Sequence, residues 1–313
     1  MRDLPGHPAH AAPVAAPLLE ALTPEEKAAY RERLADVLRR ADKLDADMID
    51  AVKRMVRQAA DSLQARWVAA GVGEGTEWDA FITPRLQAAL GDVARELARE
   101  LGERLGDMLP DAFENGDALT LSGIGGAGLD VAALPGIAAE TVKIASVFSA
   151  DLITNVEAWA LDRVNVTLRQ AFVTGTSPWE VMQGIARSGI DSGPWKSVAY
   201  RGEIIARTEL ARVQGLAAQK RMSDVVRDYP DMGLKKAFMS AHVLEWPCET
   251  CEPYDGVVFD VDDPEAPEVP VHPNCRCCYV SYFPGLSTEI KRLGNDDSLH
   301  AQQRDESVAQ EDE

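Results

Sequence analysis

The 313-residue chain sets 51 acidic side chains against 32 basic ones, a formal net charge of −19 at pH 7, which repels polyphosphate and argues against broad nonspecific nucleic-acid binding. No stretch reaches the roughly 20 uninterrupted apolar residues of a membrane span; the most apolar region, 137 to 160, is broken by Glu140, Lys143, Asp151 and Glu157. All five cysteines lie at or beyond Cys248 and the first thirty residues lack the basic start and apolar core of a secretory signal, so the chain is no disulfide scaffold and synthesis in a reducing cytoplasm is the expectation.

Residues 1–20, rich in Pro, Ala and His, read as a disordered arm. A helical region over 21–112 follows. Thr23-Pro24-Glu25-Glu26 is a start signal, with Thr23 as cap, Pro24 at the first helical position and Glu26 at the capping-box position. Behind it Leu34, Val37, Leu38, Ala41, Leu44, Met48, Val52, Met55 and Val56 recur at three- and four-residue steps, one apolar stripe. Gly71 to Gly75 breaks the pattern. Thr83-Pro84 then opens a second helix with Leu86, Leu90, Val93, Leu97, Leu101, Leu105 and Met108 on one face and alternating charges on the other, ending at Pro110. Two such helices suit an antiparallel bundle or a short coiled coil.

Residues 113–136 read as a glycine-rich connector. Gly123 to Gly128 formally matches GxGxxG, but Pro135 and Gly136 follow where a phosphate-binding loop needs a helix, and no βαβ pattern surrounds it. From 137 to 230 the chain again reads as helices, one opened by Ser177-Pro178 and one over about 199–228 that carries Ile204, Ile205, Leu210, Val213, Leu216, Met222 and Val225 as its apolar side. Arg207-Thr208-Glu209 in that helix is, taken alone, a polar face. The last segment, 286–313, is an acidic disordered tail, with eight acidic and three basic side chains between 287 and 313.

Residues 236–285 hold the most specific pattern. Cys248-x2-Cys251 and His272-x2-Cys275 are two knuckles about twenty residues apart, a spacing that presents four donors to one zinc ion. Cys248, Cys251, His272 and Cys275 are the predicted ligands and Cys277 is the alternative. Cys275 and Cys277 would share a strand face opposite Cys278, which makes Cys278 the bystander. A disulfide pair, or thiols packed as small hydrophobes, are the competing readings. Tyr254-Asp255-Gly256 followed by Val257-Val258-Phe259 is a turn running into a strand, which places the knuckles at the ends of a small hairpin. Four protein ligands would leave no position for water, so the zinc would be structural. Lys235-Lys236 and Arg276 are the candidate basic patch for any DNA contact; their default reading is ordinary solvated charge. The expected fold class is mainly α, bundle-like in its first and central regions, with a small C-terminal α+β zinc-knuckle module.

Two features coincide: Ala206-Arg207-Thr208-Glu209 on a helix and, some forty residues on, Cys248-x2-Cys251, Asp255-Gly256-x2-Phe259 and His272-Pro273-Asn274-Cys275-Arg276-Cys277. The combination resembles the C-terminal domain of the phage Mu protein F-like minor head proteins, also called phage head morphogenesis proteins, over roughly residues 140–284, within a domain drawn at 137–285. Where that family often has Lys-x-Trp before the first knuckle, this chain has Lys236-Ala237-Phe238, with Trp246 just before Cys248. The resemblance implies a structural minor capsid protein of the virion, not an enzyme, made in the bacterial host cytoplasm. Its implied partners are the portal protein and the major capsid protein, with packaged DNA and a homo-oligomer at the portal vertex as further contacts. It also implies that the metal stabilises rather than reacts, and Arg207 or Glu209 is expected to buttress the zinc module by a buried polar contact. Two other classes compete: an HNH-type metal-dependent nuclease, for which His242 is the nearest general base but an Asp-His pair is missing, and a zinc-ribbon DNA-binding adaptor, which the net charge disfavours.

Overall fold

The computed structural model describes residues 24–126, 139–188, 190, 192–240 and 249–283. The expected arm over 1–20 and tail over 286–313, and with them Thr23, His242, Trp246 and Cys248, lie outside the described residues. The fold is mainly helical, with a small C-terminal region of three antiparallel strands beside a Cys/His cluster. No described helix is long and apolar enough to cross a membrane.

Helices α1 (Pro24–Ala69) and α2 (Ile82–Gly126) form a long antiparallel hairpin. Arg66 near the end of α1 pairs with Glu96 of α2 at 2.7 Å, and Trp67 donates its indole N–H to the Leu86 carbonyl at 3.2 Å. At the other end Leu34 and Val37 of α1 share a core with Leu119 and Ile124 of α2. The stripe from Leu86 to Met108 is buried throughout, each leucine contributing about 1.5–3 kcal/mol. Asp79, rather than Thr83, caps α2: its carboxylate accepts the N–H groups of Phe81 and Ile82 at 2.7 and 2.6 Å.

The expected helix end at Pro110 and the connector beginning at 113 are corrected here. α2 runs through Pro110 and includes residues 113–126; residues 127–136 lie outside the described residues. Proline removes one backbone donor, but Met108, Leu109, Ala112 and Phe113 around it are all buried, and that packing outweighs the local cost. The glycines serve close approach instead of a loop. A Cβ on Gly116 would collide with the backbone of Gln214, and one on Gly123 would lie 2.5 Å from Ser281 Cβ.

Helices α3 (Ala139–Thr174), α4 (Pro178–Ser188) and α5 (Gly193–Asp228) complete the bundle. α4 starts where expected, on a capping box: Ser177 N–H donates to Glu180 Oε2 at 2.9 Å and Glu180 N–H donates to Ser177 Oγ at 3.2 Å. α5 begins at Gly193-Pro194, six residues ahead of the expected start. It packs against α1, α2, α3 and the sheet, so Trp195, Ile205, Leu210, Val213 and Met222 are buried on several sides and no single stripe marks its core face.

After a short 3-10 turn (Pro230–Met232) come strands β1 (Lys235–Met239), β2 (Val258–Asp260) and β3 (Cys278–Tyr282), in the order β2-β1-β3. The expected hairpin between the two knuckles is not what forms. β2 pairs with β1, Lys236 opposite Phe259, and β3 pairs with the other edge of β1, Phe238 opposite Tyr279. β1 carries no turn signal of its own, yet it is the strand most buried on both faces. The sheet seats on α2 and α5, with Ser281 Oγ donating to the Thr120 carbonyl at 3.0 Å.

Candidate metal centre

The loop between β1 and β2 carries the first knuckle. The Cys251 carbonyl accepts Tyr254 N–H at 3.0 Å, which starts a 3-10 turn (Glu252–Tyr254), and Gly256 then turns the chain at φ +70°. Three bonds tie this loop to the end of β1: Gly256 N–H to the Phe238 carbonyl and Phe238 N–H to the Val257 carbonyl, both at 2.9 Å, and Ser240 N–H to Asp255 Oδ1 at 2.9 Å. Phe238 packs between Tyr254 and Tyr279, with centroids 5.7 and 5.4 Å away, so a ring fills the place at which the resemblance expects tryptophan. The second knuckle precedes β3. Cys275 N–H donates to the His272 carbonyl at 3.1 Å, and Asn274 between them takes the left-handed conformation at φ +66°. Asparagine is among the few side chains that adopt it readily.

These two loops bring Cys251, His272 and Cys275 together, their donor atoms all within 4.8 Å of one another, so the cluster could hold a metal ion. The two sulfurs lie 3.8 Å apart. That separation is far beyond a disulfide, whose sulfurs sit at about 2.05 Å. It equals what two thiolates at about 2.3 Å from one tetrahedral ion require, about 3.8 Å. His272 Nδ1 lies 2.9 Å from the Pro273 carbonyl; a carbonyl only accepts, so Nδ1 bears the proton and Nε2 keeps the lone pair for a metal. The Cys275 thiol is held down at about 5, first by the hydrogen bond from the Cys277 side chain, then, against the opposing pull of burial, by the N–H groups of Cys277 and Val271 and by His272. A thiol held low beside an imidazole whose Nδ1 faces a carbonyl is a donor set that fits a borderline metal ion.

Three of the four predicted ligands therefore meet, and the fourth, Cys248, lies outside the described residues. Cys277, the alternative, is buried beside Cys275 but is not part of the three-residue cluster. Cys278 opens β3 and is not among the clustered donors: burial, and then the charge of Cys275 and Asp42, push its thiol up to about 12, so it stays protonated.

The chain matches no protein-family model, no curated protein and no solved structure.

Around the donors the structure assembles a polar seam that no spacing announces. Asp45 of α1, 12 % exposed, pairs with Arg207 of α5 at 3.2 Å and with Arg276 of the second knuckle at 3.7 Å. Arg207 donates through Nη1 to the Asn274 carboxamide, and Asn274 N–H donates to Thr208 Oγ1 at 3.0 Å. Thr208 donates in turn to the Ile204 carbonyl at 2.6 Å. Asp42 stands in the same field, raised to about 6 by burial against the pull of Arg276 and Arg207. Arg207 thus is the buttress expected of the Arg207-Thr208-Glu209 triplet, with Thr208 as its second member; buried Glu209 pairs with Arg212 of its own helix at 3.3 Å. The available signal was the mid-helix Arg-Thr pair together with Asn-Cys-Arg in the knuckle, but α1's acids could not be assigned to either.

The candidate basic patch is used internally. Lys235 pairs with Asp260 at 2.5 Å, and Lys236 is buried, donating to Gln219 Oε1 at 3.0 Å with its ammonium 4.8 Å from the Tyr279 ring centre. Lys236 on Gln219 and Arg276 on Asp45 are therefore partners within the fold, whereas the Lys235–Asp260 pair stays at the surface as solvated charge.

Proposed function

We propose that this protein is a structural component of a phage head, a minor capsid protein that docks at the portal vertex, with a structural zinc closing its C-terminal module. The observation that carries the metal part is the Cys251–His272–Cys275 triangle, whose sulfur spacing and imidazole tautomer suit zinc. Cys248, three residues before Cys251, is the proposed fourth ligand. When bound, zinc supplies cross-linking of the two knuckles and no chemistry, since a filled shell has no place for water.

The assembly role is supported by the resemblance to Mu F-like head proteins over about 140–284 and by the long helices, which offer extended faces to a ring of partners. Engagement of Lys236 and Arg276 inside the fold, with Lys235 neutralised by Asp260 at the surface, favours a protein partner over DNA as the principal one. Elemental analysis should find one zinc per chain, reduced in Cys251→Ser. The function is tested by sedimenting the chain with portal oligomers: co-sedimentation is the expected result, and recovery only as free protein overturns the assembly role while leaving the metal intact.

A further inference from the structure

The second knuckle makes two sets of contacts with one short turn. His272 and Cys275 supply metal donors, while Asn274 between them and Arg276 after them reach Arg207, Thr208 and Asp45. The two sets cannot move independently. Asn274 is held in the left-handed region by the same turn whose Cys275 N–H closes on the His272 carbonyl, and its own N–H is spoken for by Thr208. Rotating the turn out of metal-binding geometry withdraws Asn274 from Arg207 and Thr208 and Arg276 from Asp45.

We propose that Asp45 and Arg207 are positioning residues for the metal site, and that metal binding is thereby coupled to the clasp that locks α1 against the C-terminal module. This rests on the metal reading above. Asp45 lies more than two hundred positions before the donors in the chain, so its influence is a tertiary one. It holds the two guanidiniums that flank the knuckle: Arg207 fixes Asn274, and Arg276 adjoins Cys275. Partners behind first ligands orient them, and their loss typically lowers metal affinity about 10- to 100-fold. Linkage makes the effect reciprocal: if the clasp strengthens metal binding, the metal strengthens the clasp by the same factor. Removing the metal then loosens the clasp on α1 around Asp42 and Asp45.

The full chain, its Asp45→Asn form and its Arg207→Lys form are titrated with zinc against a competing chelator, and each is melted with and without zinc. The expected result is a single zinc per chain throughout, bound about 10- to 100-fold more weakly by both variants, and a zinc-induced rise in Tm that is smaller in the variants than in the parent. A purely structural contact would lower both melts equally and leave that rise unchanged, which overturns the coupling. Asn274→Gly keeps the left-handed backbone and removes only the carboxamide; it should bind zinc more weakly than the parent but more tightly than Asn274→Ala. Hydrogen exchange on the parent needs no variant to fold: zinc should slow exchange over residues 42–48 as well as over 249–283, and slowing confined to 249–283 overturns the proposal. A parent chain that binds no zinc overturns the metal reading itself, and this inference with it.

Discussion

The bundle and the C-terminal module are stabilised in different ways. The bundle buries residues of all five described helices, among them Trp67, Leu86, Leu90, Leu97, Trp195 and Leu210, in one continuous apolar core. The module has three strands of three to five residues and borrows its core from the ends of other elements: Leu34 and Val37 of α1, Leu119 and Ile124 of α2, Met222 and Val225 of α5. A sheet that small does not stand alone. It is held by the rings around Phe238 and by the polar seam through Asp45, beside the Cys251–His272–Cys275 cluster that could take a metal. Apolar area is sufficient for one region, whereas the other needs specific polar partners.

The sharpest way to break this contrast is to remove the proposed metal. Cys251→Ser, or chelation of the parent, should abolish hydrogen-exchange protection across 249–283 while α2 and the centre of α5 stay protected; for structural zinc the binding free energy at stake is about 10 kcal/mol or more. Simultaneous loss in both regions would show that they are one cooperative unit. The complementary lesion is Leu90→Ala in the middle of the bundle, where Leu90 is fully buried. It should cost about 2–5 kcal/mol in denaturant unfolding and leave zinc stoichiometry unaltered. A smaller effect separates the seam from both. Asp42 titrates near 3.8 in the unfolded chain and at about 6 in the fold, because burial outweighs Arg276 and Arg207. Between those values the folded state holds a proton that the unfolded state has lost, so this group's contribution to stability falls as pH rises. Asp42→Asn should therefore raise Tm at pH 8, with the gain shrinking as pH drops through 6 and gone near 4. A gain that is constant across that range would mean that the carboxyl is not displaced.

The legible parts of the chain were those where the period of the pattern and the environment agree. Each residue from Leu86 to Met108 on the expected face is buried, because a helix packed on one side repeats at 3.6 residues. Ser177-Pro178 announced α4 for an equally local reason. Pro110, Gly116 and Gly123 misled for the opposite one: they look like punctuation, but their setting is a long helix pressed against α5 and β3. β1 was missed as the centre of the sheet because Lys235-Lys236-Ala237-Phe238-Met239 carries two lysines, and only the fold supplies Asp260 and Gln219 to receive them.

The sequence by itself determined the helical stripes and the identity of three donors that meet, since both depend on spacing along a short stretch of chain. Tertiary structure alone decided which strand each knuckle joins, that Pro110 lies inside a helix, and that Asp45 of the first helix holds the arginines flanking the metal loop. Those outcomes depend on which surfaces meet across two hundred residues, where burial and charge pairing are settled by packing and leave no periodic trace in the chain.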